Sequence, residues 1–166
     1  PSDGELMASD ELDKVELPAL EQLQSLGWSY VEGAKLSPDE SDERSSLKDV
    51  VLEKRLTESL KRINPWINDE NLRKVIRELT KTLYSNLIEA NQGIWTHINQ
   101  CISVMQDLGK GNRGQTVHII DFEHPENNEF LCTNQFKVSG VNQNIIPDIL
   151  CFVNGLPLAV IECKSP

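Results

Sequence analysis

The sequence predicts a mixed α/β domain in which helices cover a small sheet. Up to about residue 108, apolar side chains recur at the three- and four-residue spacing of amphipathic helices. From Gly109 onward they fall in short runs, rich in β-branched and aromatic residues and divided by Asn, Gly and Pro, which is typical of strands. Helices followed by strands indicate an α+β or mixed α/β fold, with the helices packed against the sheet.

Apolar spacing, caps and helix-stopping residues set the bounds of the predicted helices. We expect helices at about Val15–Leu26, Leu47–Ile63, Asp69–Ala90 and Ile94–Leu108, with Asp69 capping the third and Gly93 preceding the fourth. A short strand, Trp28–Val31, and a charged loop, Leu36–Ser46, follow the first helix. The later strands are expected at Gln115–Phe122, Glu129–Val138, Pro147–Val153 and Leu158–Glu162. The last two strands flank Asn154-Gly155, which is a strong hairpin signal.

Length and composition fit one soluble globular domain. The chain has 166 residues, of which 39% are hydrophobic and 25% charged. No apolar run approaches the roughly 20 residues of a membrane-spanning helix, and the first residues lack the order of a signal peptide, so we expect a cytoplasmic protein without a membrane partner. The four cysteines lack the close paired spacing of zinc sites, and we expect them to be reduced and mostly buried.

The net charge of −10 argues against strong DNA binding by this chain alone. Proteins draw most of their affinity for DNA from Lys and Arg side chains placed against phosphates. An acidic chain is still compatible with work on DNA if other domains hold the DNA and carboxylates here bind a cation, whose charge offsets the phosphates.

The predicted hairpin around Asn154-Gly155 carries acids where buried strands normally have none. Asp148 opens its first strand, and Glu162 and Lys164 lie two apart on the second, so their side chains project from one face. Residues directly opposite each other in an antiparallel pair also share a face. Pairing Val153 with Pro157 would place Asp148 opposite Glu162. Pairing Val153 with Leu158 would separate the two acids, so we predict a three-residue loop, or a β-bulge that restores parity.

A bulge is favoured because Pro157 has no N–H for the strand ladder. Two converging carboxylates suit Mg²⁺, which takes one or two carboxylates and keeps several waters. Cys163, between Glu162 and Lys164, is expected to offer its backbone carbonyl as a further ligand while its thiol points into the core. A metal-activated water and the ammonium of Lys164 would then suit phosphodiester hydrolysis.

Glu16 is the one acid on the apolar face of the first predicted helix. An acid on a core-facing side must be paired, protonated or bound to metal. The competing interpretation is an ordinary acid near a helix N-terminus, where the dipole favours it.

Two other polar segments have simpler explanations. GKGNRGQT, residues 109–116, nearly matches a P-loop, but Gln115 stands where the phosphate-binding lysine belongs and the segment enters a strand, so we predict a glycine-rich connector and no nucleotide site. Asp121, Glu123 and His124 precede a turn-forming Pro-Glu-Asn-Asn sequence, and we expect them to serve that turn rather than a metal.

The Pro-Asp, the spacer and the Glu-x-Lys together resemble the PD-(D/E)xK nuclease superfamily. The wider match is more specific: LGWSYVEG, LKRINPW, EANQ, HIIDFEHPENNEFLCTNQFKV and PDILCFVNGLPLAVIECKSP are similar, in order, to the N-terminal domain of the restriction (R) subunit of type I restriction enzymes. This resemblance implies a restriction-endonuclease-like core, a small mixed sheet flanked by helices, which cleaves double-stranded DNA with Mg²⁺.

The resemblance also assigns roles and partners. Asp148, Glu162 and Lys164 match the family's catalytic acids and lysine, and Glu16 fits an additional acid of many members, with Glu21 as a nearby alternative. The implied partners are the specificity and methylation subunits of an ATP-dependent complex and the motor domains of the same polypeptide, which use the ATP.

Two departures limit what residues 1–166 are expected to do alone. The family carries a Gln-x-x-x-Tyr motif beyond the Glu-x-Lys strand, as well as a motor, and this chain contains neither. We therefore expect one nuclease domain, residues 1–166, truncated at its C-terminal end. The alternatives are a nuclease-like docking module without activity, and a solitary PD-(D/E)xK repair nuclease, for which a more basic surface would be expected.

Overall fold

The computed structural model describes residues 15–80, 87–140 and 143–164 and confirms the predicted mixed α/β class. The helices in these ranges are α1 (Leu17–Ser25), α2 (Glu53–Ile63), α3 (Asp69–Thr80) and α4 (Leu87–Gln100). The strands are β1 (Ser29–Tyr30), β2 (Ile102–Asp107), β3 (Asn112–Val117), β4 (Phe130–Asn134), β5 (Val138–Ser139), β6 (Asn144–Ile145), β7 (Ile149–Val153) and β8 (Leu156–Ile161). The chain divides into two compact units, residues 1–52 with 130–166, and residues 53–129.

The first unit is built on a mixed sheet with the strand order β1-β4-β7-β8. Strand β1 runs parallel to β4, and the other neighbours are antiparallel. Successive side chains of β4 and β7 alternate between two apolar clusters, as the pleat requires. One cluster contains Leu36, Leu52, Leu131, Phe136, Leu150 and Phe152, and the other contains Leu20 of α1 with Cys132, Ile149, Cys151 and Cys163.

Helix α2 begins at Glu53, so the predicted start at Leu47 was wrong. Residues 47–52 have apolar spacing compatible with a helix, but their backbone groups have other partners. The Leu52 N–H donates to the Gly155 carbonyl at 2.9 Å, and the Leu47 carbonyl accepts from the Ser139 N–H at 2.8 Å. Tertiary hydrogen bonds therefore override the helical pattern in this segment.

The predicted cap and end of the third helix also need correction. The side chain of Asn68, not Asp69, accepts the Asn71 N–H at 2.8 Å and so caps α3. The described part of α3 reaches Thr80, and residues 81–86 of the predicted helix lie outside the described residues. The predicted end at Ala90 is wrong, because Ala90 lies within α4.

The predicted fourth helix, Ile94–Leu108, was wrong at both ends. Helix α4 runs through Gly93 and ends at Gln100, and the left-handed Cys101, with φ of 59°, separates it from strand β2. Burial alternates along β2, and Gln106 on its inner side bonds to the Asn71 amide at 3.0 Å. A strand explains that alternation, whereas helical spacing of a few apolar residues had suggested a helix.

The predicted turn in the second unit agrees with the structure, whereas the predicted connector, residues 109–116, agrees only in its first part, because residues 112–116 belong to strand β3. Residues 108–111 join β2 to β3 in a hairpin, and Asp107 Oδ1 accepts the N–H groups of Gly109 and Lys110. Asp121 Oδ1 accepts the N–H groups of Glu123 and His124. The hydrogen bond from the Asn127 side chain, followed by that from the His124 N–H, lowers the pKa of Asp121. Both segments therefore serve turns.

No helix among the described residues is long and apolar enough to cross a membrane. The described cysteines form no disulfide, and three of the four, Cys132, Cys151 and Cys163, are buried as expected. The expectation that residues 1–166 form a single nuclease domain stays a prediction.

Replacing Gly33 by alanine is expected to destabilise the first unit. A Cβ atom there would lie 2.3 Å from the Asn134 carbonyl oxygen and 2.7 Å from the Phe136 nitrogen, both backbone atoms that cannot swing aside. We expect Gly33→Ala to lower the free energy of unfolding, measured by urea denaturation, by about 2 kcal/mol or more.

Gly114→Ala is the matched control, because its Cβ would meet only the Ser103 hydroxyl, at 3.3 Å. We expect a change of about 0.5 kcal/mol or less there. Equal effects of the two substitutions would contradict the close approach at Gly33.

Candidate functional site

The register of β7 against β8 brings the two acids of the hairpin to corresponding positions. Asn154 and Gly155 both have positive φ, 53° and 81°, and form a two-residue turn that pairs Val153 with Leu156. The pairing then shifts by one, from Phe152 with Pro157 to Cys151 with Ala159, which leaves Leu158 as the extra residue of a bulge. The predicted bulge beside Pro157 is confirmed.

The last paired residues are Ile149 and Ile161. Extending this register by one step sets Asp148 opposite Glu162, so both side chains belong to the same face of the sheet. Without the bulge, Asp148 would stand opposite Ile161, and Glu162 would belong to the other face. The extra residue at Leu158 therefore determines whether the two carboxylates can converge.

Asp148 is half-buried and is held at the end of the sheet by a backbone donor. The Cys163 N–H donates to Asp148 Oδ2 at 2.6 Å, and the Asp148 carbonyl accepts the Gln135 N–H at 3.3 Å. A hydrogen bond to a carboxylate is charge-assisted and fixes the orientation of the group. The Cys163 side chain packs with Ile149 and Cys151, so the prediction that its thiol points into the core is confirmed.

Glu162 and Lys164 are exposed and follow the end of β8 at Ile161. The strand therefore begins two residues earlier and ends one residue earlier than the predicted range Leu158–Glu162. Lys164 is two residues beyond Glu162. The two residues flank Cys163, whose N–H contacts Asp148, and they lie just beyond the last paired residues of the strand ladder.

Glu16 is buried, with 4% of its surface exposed, in the turn of backbone that leads into α1. Its Oε1 accepts a hydrogen bond from Asn134 Nδ2 at 2.7 Å, and its Oε2 accepts one from Gln135 Nε2 at 3.4 Å. No Lys or Arg among the described residues forms an ion pair with it. The structure places Glu16 at the N-cap position of α1, as the helix-terminal interpretation expects, but gives its side chain no capping hydrogen bond. A buried carboxylate that is held by neutral amides is costly, so the metal-binding role of Glu16 stays a prediction.

Gln135 links Glu16 to Asp148. Its side chain donates to Glu16 and its backbone N–H to the Asp148 carbonyl. Its φ of 53° lies in the left-handed region, which costs energy for a residue with a side chain and is concentrated at functional sites. The strained residue thus joins the acid of the helix to the acid of the sheet.

Asn134 is in turn held by Tyr30 of β1, whose hydroxyl donates to Asn134 Oδ1 at 2.7 Å. Burial, and then the charges of Glu32 and Glu16, raise the pKa of Tyr30 above its ordinary value. Burial also raises the pKa of the neighbouring Cys132 thiol to about 11, so this thiol stays protonated at neutral pH. The surroundings of Glu16 are therefore poorly hydrated. The protonated thiol of Cys132 is not available there as a thiolate ligand for a metal ion.

The carboxylates at this end of the sheet suit a hard divalent cation. The described residues contain no group of three or more His, Cys, Asp or Glu side chains arranged to hold a metal ion. Mg²⁺ does not need one, because it commonly binds through one or two carboxylates and retains water. Asp148 and Glu162 supply that number, and Glu16 adds a buried carboxylate that forms no ion pair with a described Lys or Arg.

The predicted residues are only partly brought together. Asp148 contacts the Cys163 N–H, Glu162 occupies the opposite position, and Glu16 is joined to Asp148 through Gln135. The alternative acid, Glu21, is exposed on α1. The sequence analysis missed Tyr30, Asn134 and Gln135. The polar pair Asn134-Gln135 at the end of an otherwise apolar strand could have indicated that these two residues belong to the site.

Comparison with known proteins identifies the family to which the chain belongs. Residues 9–166 match the family model described as the type I restriction enzyme R protein N terminus. The chain is 34% identical over 154 residues to the protein described as type I restriction enzyme HindI endonuclease subunit of Haemophilus influenzae, covering 92% of this chain and 15% of that protein. It is also 34% identical over 155 residues to a Methanocaldococcus jannaschii protein described as a type I restriction enzyme MjaIXP endonuclease subunit, with the same coverage.

The chain thus spans about 15% of the length of these curated relatives. The resemblance deduced from the sequence motifs is confirmed, since the family match covers the segments that carry Asp148, Glu162 and Lys164. The chain belongs to the family of type I restriction enzyme R protein N-terminal domains.

Proposed function

We propose that this domain hydrolyses DNA phosphodiester bonds with Mg²⁺ at Asp148, Glu162 and Lys164, as the cleaving part of a type I restriction complex. The observation that carries the proposal is the bulge at Leu158, which sets Asp148 opposite Glu162 at the end of the sheet. The names of its relatives, type I restriction enzyme endonuclease subunits, agree with this activity. The wider complex would supply ATP-driven motor domains of the same polypeptide and the specificity and methylation subunits.

In this proposal Asp148 and Glu162 bind the cation, together with the backbone carbonyl of Cys163. The bound cation would lower the pKa of a water molecule and offset the negative charge that develops on the phosphate. The Cys163 N–H orients Asp148 by occupying its Oδ2. The ammonium of Lys164 would orient the attacking water and stabilise negative charge on the phosphate oxygens. Glu16 would contribute a further carboxylate.

The charge of the first unit supports a role inside a complex over a solitary nuclease. Its segments, 1–52 and 130–166, contain six Lys and Arg residues against fifteen Asp and Glu residues. DNA binding by phosphate contacts needs basic residues, so this unit is poorly equipped to hold DNA alone. We infer that other parts of the polypeptide or its partner subunits deliver the DNA, and that the protein works in the cytoplasm, where that DNA is.

Asp148→Asn and Lys164→Ala are expected to abolish cleavage without abolishing ATP hydrolysis. Asn keeps an oxygen that accepts the Cys163 N–H, so Asp148→Asn removes the charge with little change of shape. The measurement is Mg²⁺-dependent nicking of plasmid DNA by the full-length polypeptide assembled with its partner subunits and ATP. We expect each variant to lose about 100-fold or more of the nicking rate, since outer-shell changes alone cost about 10- to 100-fold.

Lys137→Ala is the control for Lys164→Ala, because Lys137 is an exposed lysine of the same unit. It should cleave at the wild-type rate. If Asp148→Asn and Lys164→Ala both still cleave, the domain is a docking module and the catalytic residues lie elsewhere.

Glu16→Gln is expected to reduce nicking by about 10- to 100-fold, while Glu21→Gln leaves it unchanged. Glutamine can still accept the Asn134 hydrogen bond, so this change removes the buried charge and keeps the packing. Glu21, which lies further along α1 and is exposed, tests the alternative assignment. A larger loss at Glu21 than at Glu16 would show that the wrong acid has been assigned.

A further inference from the structure

We propose that Tyr30 and Asn134 are positioning residues that hold the Glu16 carboxylate ready for a divalent cation, an inference that rests on the proposed function. The two residues form a directed chain of hydrogen bonds. The Tyr30 hydroxyl donates to Asn134 Oδ1 at 2.7 Å, and Asn134 Nδ2 donates to Glu16 Oε1 at 2.7 Å. This chain is named the Tyr30 relay below.

The Tyr30 relay fixes which end of the Asn134 amide faces Glu16. An asparagine side chain has an acceptor oxygen on one side and a donor NH₂ on the other. With the hydroxyl of Tyr30 donating to the oxygen, the NH₂ must face the carboxylate. A rotated amide would place its oxygen against Glu16 Oε1, two acceptors with no proton between them. The tyrosine hydroxyl therefore selects the amide orientation that supports the carboxylate.

Burial makes the Tyr30 relay hard to replace by water. Glu16 and Asn134 are 4% and 7% exposed, and their surroundings include the apolar cluster of Leu20, Cys132 and Ile149. In such a setting each hydrogen bond is stronger than in water, and a missing donor is costly. Removing the Tyr30 hydroxyl should thus weaken the hydrogen bond between Asn134 and Glu16, and solvent should not replace the missing donor.

The Tyr30 relay also ties Glu16 to the strand that carries Asp148. Tyr30 pairs with Cys132 across β1 and β4, and Asn134 pairs with Ile149, the neighbour of Asp148. The next residue, Gln135, bonds to both Glu16 and the Asp148 backbone. Three strands therefore set the position of Glu16 relative to Asp148. Partners of this kind, which orient a ligand without touching the metal, strongly affect metal affinity.

The test is Tyr30→Phe, alone and combined with Glu16→Gln, in the full-length polypeptide. Two quantities are measured: the Mg²⁺ concentration that gives half-maximal plasmid nicking by the assembled complex, and the dissociation constant of Mn²⁺ by calorimetry without DNA. We expect Tyr30→Phe to raise both by about tenfold and to restore nearly wild-type nicking at saturating Mg²⁺. In the Glu16→Gln background, Tyr30→Phe should have no further effect on either quantity.

Two further variants separate positioning from general loosening of the fold. Asn134→Leu is close to asparagine in size and removes the donor, so it should weaken Mn²⁺ binding as Tyr30→Phe does, again only when Glu16 is present. Cys151→Ala removes a thiol from the same apolar cluster and leaves the residues of the Tyr30 relay intact, so it should leave Mn²⁺ affinity unchanged. Thermal unfolding of each variant confirms that it is folded.

The outcomes distinguish this inference from the proposed function. If Tyr30→Phe leaves Mn²⁺ affinity unchanged, or weakens it equally with and without Glu16, the positioning role is wrong. The same holds if Cys151→Ala weakens it as much. If instead Asp148→Asn and Lys164→Ala both still cleave DNA, the proposed function fails, whatever Tyr30→Phe does.

Discussion

One extra residue in strand β8, Leu158, determines which side chains share a face at the end of the sheet. Side chains alternate between faces along a strand, so a shift of one residue moves every later side chain to the opposite face. With the bulge, Glu162 shares a face with Asp148, and the side chain of Cys163 joins the cluster under α1. Without it, Glu162 would be directed toward that apolar cluster, where an unpaired carboxylate would be strongly destabilising. Packing and charge are thus compatible only in the bulged register.

A second constraint is that the first unit holds Glu16 and Asp148 with neutral donors. The described contacts of Glu16 are the amides of Asn134 and Gln135, and Asp148 accepts a backbone N–H. Such donors orient carboxylates but do not cancel their charge, so negative charge remains at the end of the sheet. The proposed cation-binding role would account for that excess.

The sequence allowed the fold class, the hairpin and the bulge to be predicted, because Asn154-Gly155, Pro157 and the alternation of apolar residues are local signals. It failed where tertiary contacts compete with local pattern. Residues 47–52 have helical spacing, yet Leu52 bonds to Gly155, which lies about a hundred positions away in the sequence. Ile102 and Met105 also fit helical spacing, but their segment pairs with β3. Local sequence patterns do not indicate these distant partners.

For the candidate site, too, the features that depend on local sequence could be predicted and those that depend on distant residues could not. Asp148, Glu162 and Lys164 follow from strand parity and from the family motif, whereas the burial of Glu16 was only foreshadowed by its place on an apolar face. Its partners, Tyr30 and Asn134, could not be inferred, since the hydrogen bond between Asn134 and Glu16 spans 118 positions of sequence. A local analysis identifies the acids but not the groups that orient them.

The most direct test of this account is a crystal structure of the protein soaked with Mn²⁺, which shares the oxygen ligands and octahedral geometry of Mg²⁺ and has an anomalous signal. The account predicts an anomalous peak bound by a carboxylate oxygen from each of Asp148 and Glu162, at about 2.0–2.3 Å, and its loss in Asp148→Asn. A peak that contacts neither residue, or one that persists in Asp148→Asn, would contradict the claim that the bulged hairpin forms the metal site.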